Sequence, residues 1–299
     1  MEYPKKKFTD LTEAANFVNK CEDDFEARLQ AAVDEVCSVE NIRIVGLSGP
    51  TCSGKTTTAK KLVEGFSVLG RRVHIVSIDD FFKDVVRSEN ADEIDFDSVD
   101  AIDFDEFKKC VDDIFNDKNV KIPIFDFITG KRSGYTEFDP DLSDIYIFEG
   151  IQAIYPEITA LLNRGAGKSV YICAMEGISI GGVDFSPTEI RLMRRIVRDH
   201  NFRGATPEYT MFLWESVRRN EDKNIFPNVE HCDIKINSTM PYEINLLVDF
   251  LRPLLLSVPA DSKYINTARE LLSKLDGVES IPQSLIPDNS LYYEFIKRI

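Results

Sequence analysis

The segment Gly49-Pro50-Thr51-Cys52-Ser53-Gly54-Lys55-Thr56 decides the fold. It satisfies the pattern G-x-x-x-x-G-K-[ST] and lies between an apolar, β-branched run at 42–47 and a helical pattern that follows it. Its glycines let backbone N–H groups surround phosphates, the helix N-terminus adds positive potential, and Lys55 can reach the phosphate oxygens. A chance glycine-rich turn is the alternative, but the flanking strand and helix favour a nucleotide site. The predicted nucleotide contacts in this segment are Gly49, Thr51, Cys52, Ser53, Gly54, Lys55, Thr56 and Thr57.

Four more apolar runs alternate with helical stretches along the chain. They cover 73–77, 145–148, 169–173 and 233–236, and this spacing indicates a parallel sheet with helices on both faces. The predicted class is α/β: a P-loop NTPase fold with a five-stranded parallel sheet and helical extensions at both ends. We place the N-terminal helical extension at 1–40, the kinase-like domain at 41–260 and the C-terminal helical tail at 261–299.

Composition limits the kinds of ligand that the chain can hold. With 36 Lys and Arg against 51 Asp and Glu, the net charge is −15, which disfavours broad binding to nucleic acid or to an anionic membrane. No apolar run approaches the roughly 18 residues of a membrane span, and the N-terminus lacks a signal-peptide pattern. The six cysteines show no CxxC spacing, so we expect neither a disulfide framework nor a zinc site. A cytoplasmic protein fits best.

Two carboxylates are candidate catalytic and metal-binding groups. Asp79 follows the second apolar run, and Glu149 ends the run at 145–148. Because parallel strands end at one sheet edge, both would face the phosphate loop. There Asp79 could orient the acceptor hydroxyl or take its proton, and Glu149 could hold Mg²⁺. A capping or loop role for Asp79 remains the alternative, and we assign its neighbour Asp80 to a helix cap.

A cluster of arginines supplies local positive charge in this acidic chain. Arg191, Arg194, Arg195 and Arg198 share one face of a predicted helix, and Arg203 follows. Four like charges at this spacing repel unless an anion compensates them. We interpret the segment at about 188–205 as a lid over the nucleotide phosphates, with a merely solvated face as the alternative.

Four further features of the sequence have a preferred interpretation. The acidic stretch at 92–106 lacks the glycine of an EF-hand loop, so a solvated loop with one or two carboxylates aimed at sugar hydroxyls is preferred. Cys52 could be a redox switch, but a spectator role is favoured. Trp214 is assigned to the core. The segment at about 121–139 contains Thr-Gly-Lys-Arg-Ser-Gly-Tyr and predicts a hairpin.

Together these motifs resemble the uridine kinase and phosphoribulokinase family of P-loop kinases. The resemblance is carried over about 40–240 by the phosphate loop, Ser-Ile-Asp-Asp-Phe-Phe at 77–82, Phe-Asp-Phe-Ile-Thr-Gly-Lys-Arg at 125–132, Ile-Phe-Glu-Gly-Ile at 147–151 and Arg-Leu-Met-Arg-Arg-Ile-Val-Arg-Asp at 191–199. The tail Ile-Pro-Asp-Asn-Ser-Leu-Tyr-Tyr-Glu-Phe-Ile at 286–296 is similar to a branch often fused to a threonyl-tRNA-synthetase-like (TGS) module. We expect this chain to lack that module.

The resemblance implies transfer of the γ-phosphoryl group of ATP, with Mg²⁺, to the 5′-hydroxyl of a pyrimidine ribonucleoside. It implies Asp79 and Lys55 as catalytic residues and Thr56, Asp79 and Glu149 around the metal. It also implies that Asp97 and Arg191 hold the ribose, and that Arg194, Arg198 and Arg203 contact ATP.

The base pocket departs from the family pattern. Well-known uridine-cytidine kinases have Tyr-Asp-Phe followed by a His, and a Gln, at the positions of Phe125, Gly130 and Leu213. We place Phe125 in the substrate site, but base specificity is not implied. The leading hypothesis is a uridine or cytidine kinase. Open alternatives are another acceptor (a purine nucleoside, pantothenate or a sugar phosphate) or an ATP-binding regulatory module. A homo-oligomer is compatible with the sequence.

Overall fold

The computed structural model describes residues 2–3, 8–84, 98–139, 141 and 144–298. Their strands are β1 (Glu2–Tyr3), β2 (Ile44–Ser48), β3 (Val73–Ser77), β4 (Val120–Asp126), β5 (Lys131–Phe138), β6 (Ile145–Glu149), β7 (Lys168–Cys173), β8 (Ile178–Ile180), β9 (Val183–Phe185) and β10 (Ile234–Asn237). Their α-helices are α1 (Leu11–Cys37), α2 (Lys55–Val68), α3 (Phe104–Phe115), α4 (Pro156–Leu162), α5 (Pro187–Arg203), α6 (Pro207–Asn220), α7 (Glu243–Leu256) and α8 (Ile265–Lys274).

Five of these strands form the parallel sheet that the sequence predicts, in the order β10-β7-β2-β6-β3. Strand β2, which leads into the phosphate loop, lies at its centre. Side chains alternate between the two faces, so Val45 and Leu47 enter one hydrophobic core and Ile44 enters the other. Both faces are therefore covered, which explains why these strands read as continuous apolar runs. The predicted fold class is confirmed.

The two cores contain different helices. Apolar side chains of α1, α2, α5, α7 and α8 pack on one face of the sheet, and those of α3 and α4 pack on the other. Helix α1 begins where Asp10 accepts a hydrogen bond from the Glu13 amide. It buries Val18, Phe25 and Leu29 in the first core, so it shares that core with the sheet.

The predicted hairpin is formed by β4 and β5, which pair antiparallel with a bulge between Ile124 and Phe125. Asp80 was assigned to a helix cap, and this prediction is wrong. Asp80 lies within the 3₁₀ turn Ile78–Phe81, and its carboxylate accepts a hydrogen bond from the Phe125 amide at 3.1 Å. Its role is to tie the hairpin to the turn, a contact between residues 45 positions apart.

The acidic stretch contains more structure than a solvated loop. Asp103 is the N-cap of α3 and accepts from the Glu106 amide at 3.2 Å, while Asp105 and Glu106 lie in the first helical turn. Negative charge at a helix N-terminus is favourable, which accounts for three of the acids in this stretch. Residues 92–97, including the predicted ribose ligand Asp97, lie outside the described residues.

Candidate active site

The phosphate loop spans residues 49–54, between β2 and α2, and only particular residues fit its backbone. A Cβ atom at Gly49 would lie 2.2 Å from the Ile172 carbonyl oxygen, and Gly54 has φ +101°. Cys52 also adopts a left-handed conformation, with φ 59°. The loop thus forms a tight backbone curl at the start of a helix, as its sequence pattern predicts.

Lys55 is half-buried and folded back on this loop. Its Nζ donates to the carbonyl oxygens of Gly49 at 2.8 Å and Pro50 at 3.2 Å. Burial lowers the pKa of Lys55, and the nearby carboxylates of Glu149 and Glu294 oppose this shift. The amine therefore lies beside the backbone curl, where it can exchange carbonyl partners for phosphate oxygens.

The two candidate carboxylates lie at the sheet edge that faces this loop. Asp79 belongs to the turn directly after β3, and Glu149 is the last residue of β6. In the parallel pairing of these strands, Glu149 is opposite Ser77. Asp79 and Glu149 line one cleft with Thr56, so the structure brings these three predicted metal-site residues together.

This cleft has a volume of about 670 Å³. The phosphate loop, the hairpin turn and α6 all contribute to its lining. Its lining joins basic, acidic and aromatic side chains: Lys55, Asp79, Phe82, Phe127, Glu149, Gln152, Arg195, Arg198, Arg203, Leu213, Ser216, Val217, Asn220, Glu221, Ile225, Glu294 and Phe295, among others. A triphosphate and an acceptor could both contact this surface.

Arg194 lies behind the phosphate loop and not over it. Its guanidinium is 0% exposed and forms a bidentate pair with Glu243, at 2.7 and 2.9 Å. It also donates to the carbonyl oxygens of Cys52 at 3.2 Å and Ser238 at 2.8 Å. In this structure Arg194 braces the loop from within, where the sequence predicts a lid arginine in contact with ATP.

Arg191 is also internal. Its guanidinium pairs with the buried carboxylate of Glu221, with one N–O distance of 2.7 Å, and lies 5.3 Å from the Trp214 ring centroid. Trp214 is buried, as predicted. Glu221 begins a π-helical turn, Glu221–Ile225, directly after α6. The structure therefore places a carboxylate against Arg191, at the position where the resemblance implies ribose.

The other three arginines share one carboxylate. Asp199 accepts from Arg195 at 3.2 Å and from Arg198 at 2.7 Å, and Arg203 lies 3.6 Å away. All three arginines line the cleft, and Arg198 also donates to the Thr51 hydroxyl at 3.1 Å. The repulsion expected between the arginines is thus relieved by protein carboxylates, while Arg198 and Arg203 remain close to the phosphate loop.

Aromatic rings contribute to the part of the cleft that the hairpin lines. Phe127 is 62% exposed and lines the cleft, whereas the predicted substrate residue Phe125 is 5% exposed and supports it at a ring distance of 5.2 Å. Leu213 lines the cleft as expected, but Gly130 does not. A flat apolar group could pack against Phe127 here.

Comparison with known proteins matches residues 44–244 to the model of the phosphoribulokinase / uridine kinase family. The chain belongs to this family. It is 30% identical over 197 residues to uridine-cytidine kinase C of Dictyostelium discoideum, covering 66% of this chain and 39% of that protein. It is 28% identical over 249 residues to uridine-cytidine kinase 2-B of Danio rerio, covering 78% and 87%.

Other proteins that match this chain differ in name and in length. Inorganic pyrophosphatase TTM2 of Arabidopsis thaliana is 29% identical over 198 residues, which are 66% of this chain and 26% of that protein. A solved structure, a possible uridine kinase from Bacillus stearothermophilus, has 14% identity and a TM-score of 0.49, covering 71% of this chain and 99% of that one. Curated relatives with different names match this chain, so the acceptor must be argued from the site.

For a member of this kinase family, the donor set at the cleft suits Mg²⁺. Thr56, Asp79 and Glu149 offer hydroxyl and carboxylate oxygens, which are hard ligands. Among the residues that the structure describes, no group of three or more His, Cys, Asp or Glu could hold a metal ion. With one hydroxyl and two carboxylates, the donor set at the cleft fits an ion that keeps water and phosphate ligands beside one or two carboxylates.

Several cleft residues were missed by the sequence analysis. Gln152 follows the β6 edge by three residues, Asn220 and Glu221 lie at the end of α6, and Glu294 comes from the C-terminal tail. The stretch Trp-Glu-Ser-Val-Arg-Arg-Asn-Glu at 214–221 contains Asn220 and Glu221, and its density of charged and polar residues could have indicated these two. No local pattern indicates Glu294, because its position depends on the path of the tail.

In the described part of the chain, no helix is long and apolar enough to cross a bilayer.

Proposed function

We propose that this chain transfers the γ-phosphoryl group of ATP to the 5′-hydroxyl of a nucleoside, most simply uridine or cytidine. The observation that carries the proposal is the shared cleft, in which Asp79 follows β3 and Glu149 ends the neighbouring strand β6, both at the edge that faces the phosphate loop. Family membership supports the reaction class. The names of the relatives support the acceptor.

In this proposal the chain acts mainly by positioning and charge neutralisation. Backbone N–H groups of 49–57 and Lys55 hold the phosphates, and Arg198 and Arg203 approach them from α5. Thr56, Asp79 and Glu149 would hold Mg²⁺, which neutralises phosphate charge when bound. Asp79 orients the acceptor hydroxyl and receives its proton. Arg194 acts through the phosphate loop and Arg191 acts through Glu221, and neither touches ATP.

We assign the acceptor to the part of the cleft lined by the hairpin turn and α6, and this part favours a planar base. Phe127 offers an exposed ring, and Gln152, Ser216 and Asn220 offer polar atoms nearby. A ring with hydrogen-bonding edges matches this lining better than a small sugar phosphate, which would leave the aromatic surface unused. We assign the ribose to the region between this part and Asp79, and retain Asp97 as a candidate ligand. We further propose that the protein works in the cytoplasm.

The test measures ADP release with a panel of nucleosides, pantothenate and ribulose 5-phosphate. We expect stimulation by a pyrimidine nucleoside, and a fall in kcat of at least about 1,000-fold in Asp79→Asn, with the nucleotide Kd within a few-fold of wild type. Asp80→Asn is the matched control, because it neutralises the adjacent carboxylate outside the cleft lining and keeps an oxygen that can accept from the Phe125 amide. It should keep most of the activity.

Two results would count against the proposal. Stimulation by a non-nucleoside acceptor alone would reassign the substrate. Nucleotide binding without turnover for any acceptor would favour a regulatory module instead.

A further inference from the structure

The C-terminal tail places a carboxylate on the first turn of the phosphate-loop helix. Glu294 ends the 3₁₀ turn Leu291–Glu294. Its Oε1 accepts from the Thr57 amide at 2.8 Å and from the Thr57 hydroxyl at 2.6 Å. The residues in contact are 237 positions apart, so this is a tertiary contact and not a local cap.

The tail is held in this position by its own packing. Leu291, Tyr292 and Phe295 are each at most 1% exposed. The Arg194 guanidinium lies 5.7 and 5.5 Å from the ring centroids of Tyr292 and Phe295, and the Asn201 side chain donates to the Phe295 carbonyl at 3.0 Å. Glu294 is therefore presented to the loop by an ordered, largely apolar segment.

The Thr57 amide, which Glu294 binds, belongs to the proposed anion site itself. The first N–H groups of a helix lack intrahelical partners, and in a phosphate loop they donate to nucleotide phosphates. One amide cannot donate fully to a carboxylate and a phosphate together. Two anions at one half-buried turn also repel each other. Glu294 and Phe295 line the same cleft as the loop, so the two anions would meet there.

We propose that Glu294 is a built-in competitor of the nucleotide. In the free protein its carboxylate satisfies the Thr57 amide and hydroxyl, and it must leave them when a phosphate binds. The inference rests on the proposed nucleotide site. Part of the nucleotide's binding energy then goes into displacing the tail carboxylate, which weakens the measured affinity and couples the tail position to occupancy of the site.

The experiment compares nucleotide affinity in full-length variants by titration calorimetry. Because a hydrogen bond to a charged group contributes about 1.5–3 kcal/mol, we expect Glu294→Gln and Glu294→Ala to bind ADP and ATP roughly 10-fold or more tightly than wild type. Pyrophosphate should show the same gain, because it carries the competing charge without a base. Adenosine, which has no phosphate, should show none.

The matched control is Asp288→Asn. Asp288 is an exposed carboxylate on the same tail that pairs with Arg298 and not with Thr57, and its loss should change the Kd for ADP less than 2-fold. The free Glu294→Ala protein should also melt at a lower temperature than wild type, because Thr57 loses its partner, while its melting temperature should rise more on addition of ADP.

The possible outcomes separate the two proposals. Equal or weaker nucleotide binding by both Glu294 variants, with clear binding by wild type, would overturn the competitor role and leave the proposed function standing. No nucleotide binding by wild type or either variant would overturn the proposed function, and this inference with it. Binding by the variants alone would support both.

Discussion

At the scale of single residues, the arginines of α5 show that predicting which side chains share a helix face does not predict what each one contacts. Four like charges on one helix face need compensating anions, and the structure provides three protein carboxylates, Asp199, Glu221 and Glu243. Asp199 lies on the same helix, four residues after Arg195, so this pair follows from local spacing. Glu221 and Glu243 are 30 and 49 positions from the arginines they pair with, so the sequence did not indicate them.

Arg194 provides the sharpest test at this scale. Arg194→Met would leave the buried carboxylate of Glu243 and the carbonyls of Cys52 and Ser238 without their donor, so we expect the free energy of unfolding to fall by about 3–5 kcal/mol. The measurement is urea unfolding. Because Glu243→Gln removes the uncompensated charge, the double variant should recover part of this loss. Strictly additive single-variant effects would contradict the proposed coupling.

At the scale of elements, the N-terminal helix is more closely joined to the phosphate-loop helix than its description as an extension suggests. A Cβ atom at Gly65 in α2 would lie 2.1 Å from Cγ1 of Val33 in α1. Val33 is buried in the same core as the sheet. The apolar stripe of α1 was visible in the sequence, but its docking partner was not, because periodicity shows which face is buried and not against what.

This close approach predicts the effect of a small substitution. Gly65→Ala should lower the free energy of unfolding by about 1–2 kcal/mol, since the steric overlap with the stiff Val33 outweighs the better helix propensity of alanine. Chemical denaturation measures it. The double variant Gly65→Ala/Val33→Ala provides the control, because the smaller side chain at 33 makes room for the new methyl. Stabilisation by Gly65→Ala alone would show that α1 does not pack as described.

At the scale of the whole molecule, a net charge of −15 is distributed unevenly. The cleft lining holds four basic side chains, Lys55, Arg195, Arg198 and Arg203, and four carboxylates, so it is less acidic than the chain as a whole and can accept a polyanion locally. Elsewhere, buried carboxylates are paired. Asp144 is 0% exposed and is bound by Arg72 at 2.7 Å and by His74 at 3.0 Å.

This pairing gives stability a defined dependence on pH. Burial tends to raise the pKa of Asp144, but hydrogen bonds from Arg72 and His74 outweigh it and hold the pKa below the ordinary value of 3.8. The stabilisation that ionised Asp144 gives to the folded state is thus fully present well above pH 3.8. It is lost as the pH falls through the lower pKa that Asp144 has in the folded state. The variant Asp144→Asn lacks this stabilisation, so we expect its free energy of unfolding to be about 2 kcal/mol lower than that of wild type at pH 7. Below pH 3.8 we expect the difference between the two proteins to narrow.

Acid titration of both proteins by circular dichroism measures this difference. Asp276→Asn is the control, because it neutralises an exposed carboxylate and should follow the wild-type curve. A difference between Asp144→Asn and wild type that stays constant down to pH 2.5 would contradict the assignment.

The amino-acid sequence by itself determined the sheet, the phosphate loop, the hairpin and the long N-terminal helix, because each depends on local spacing of apolar residues, glycines and turn residues. The tertiary structure alone decided that Phe127 and not Phe125 faces the cleft, that Arg191 and Arg194 are internal, and that Glu294 contacts Thr57. These outcomes depend on contacts between residues far apart in the chain, and no periodicity in a single sequence records which distant carboxylate reaches a given arginine or amide.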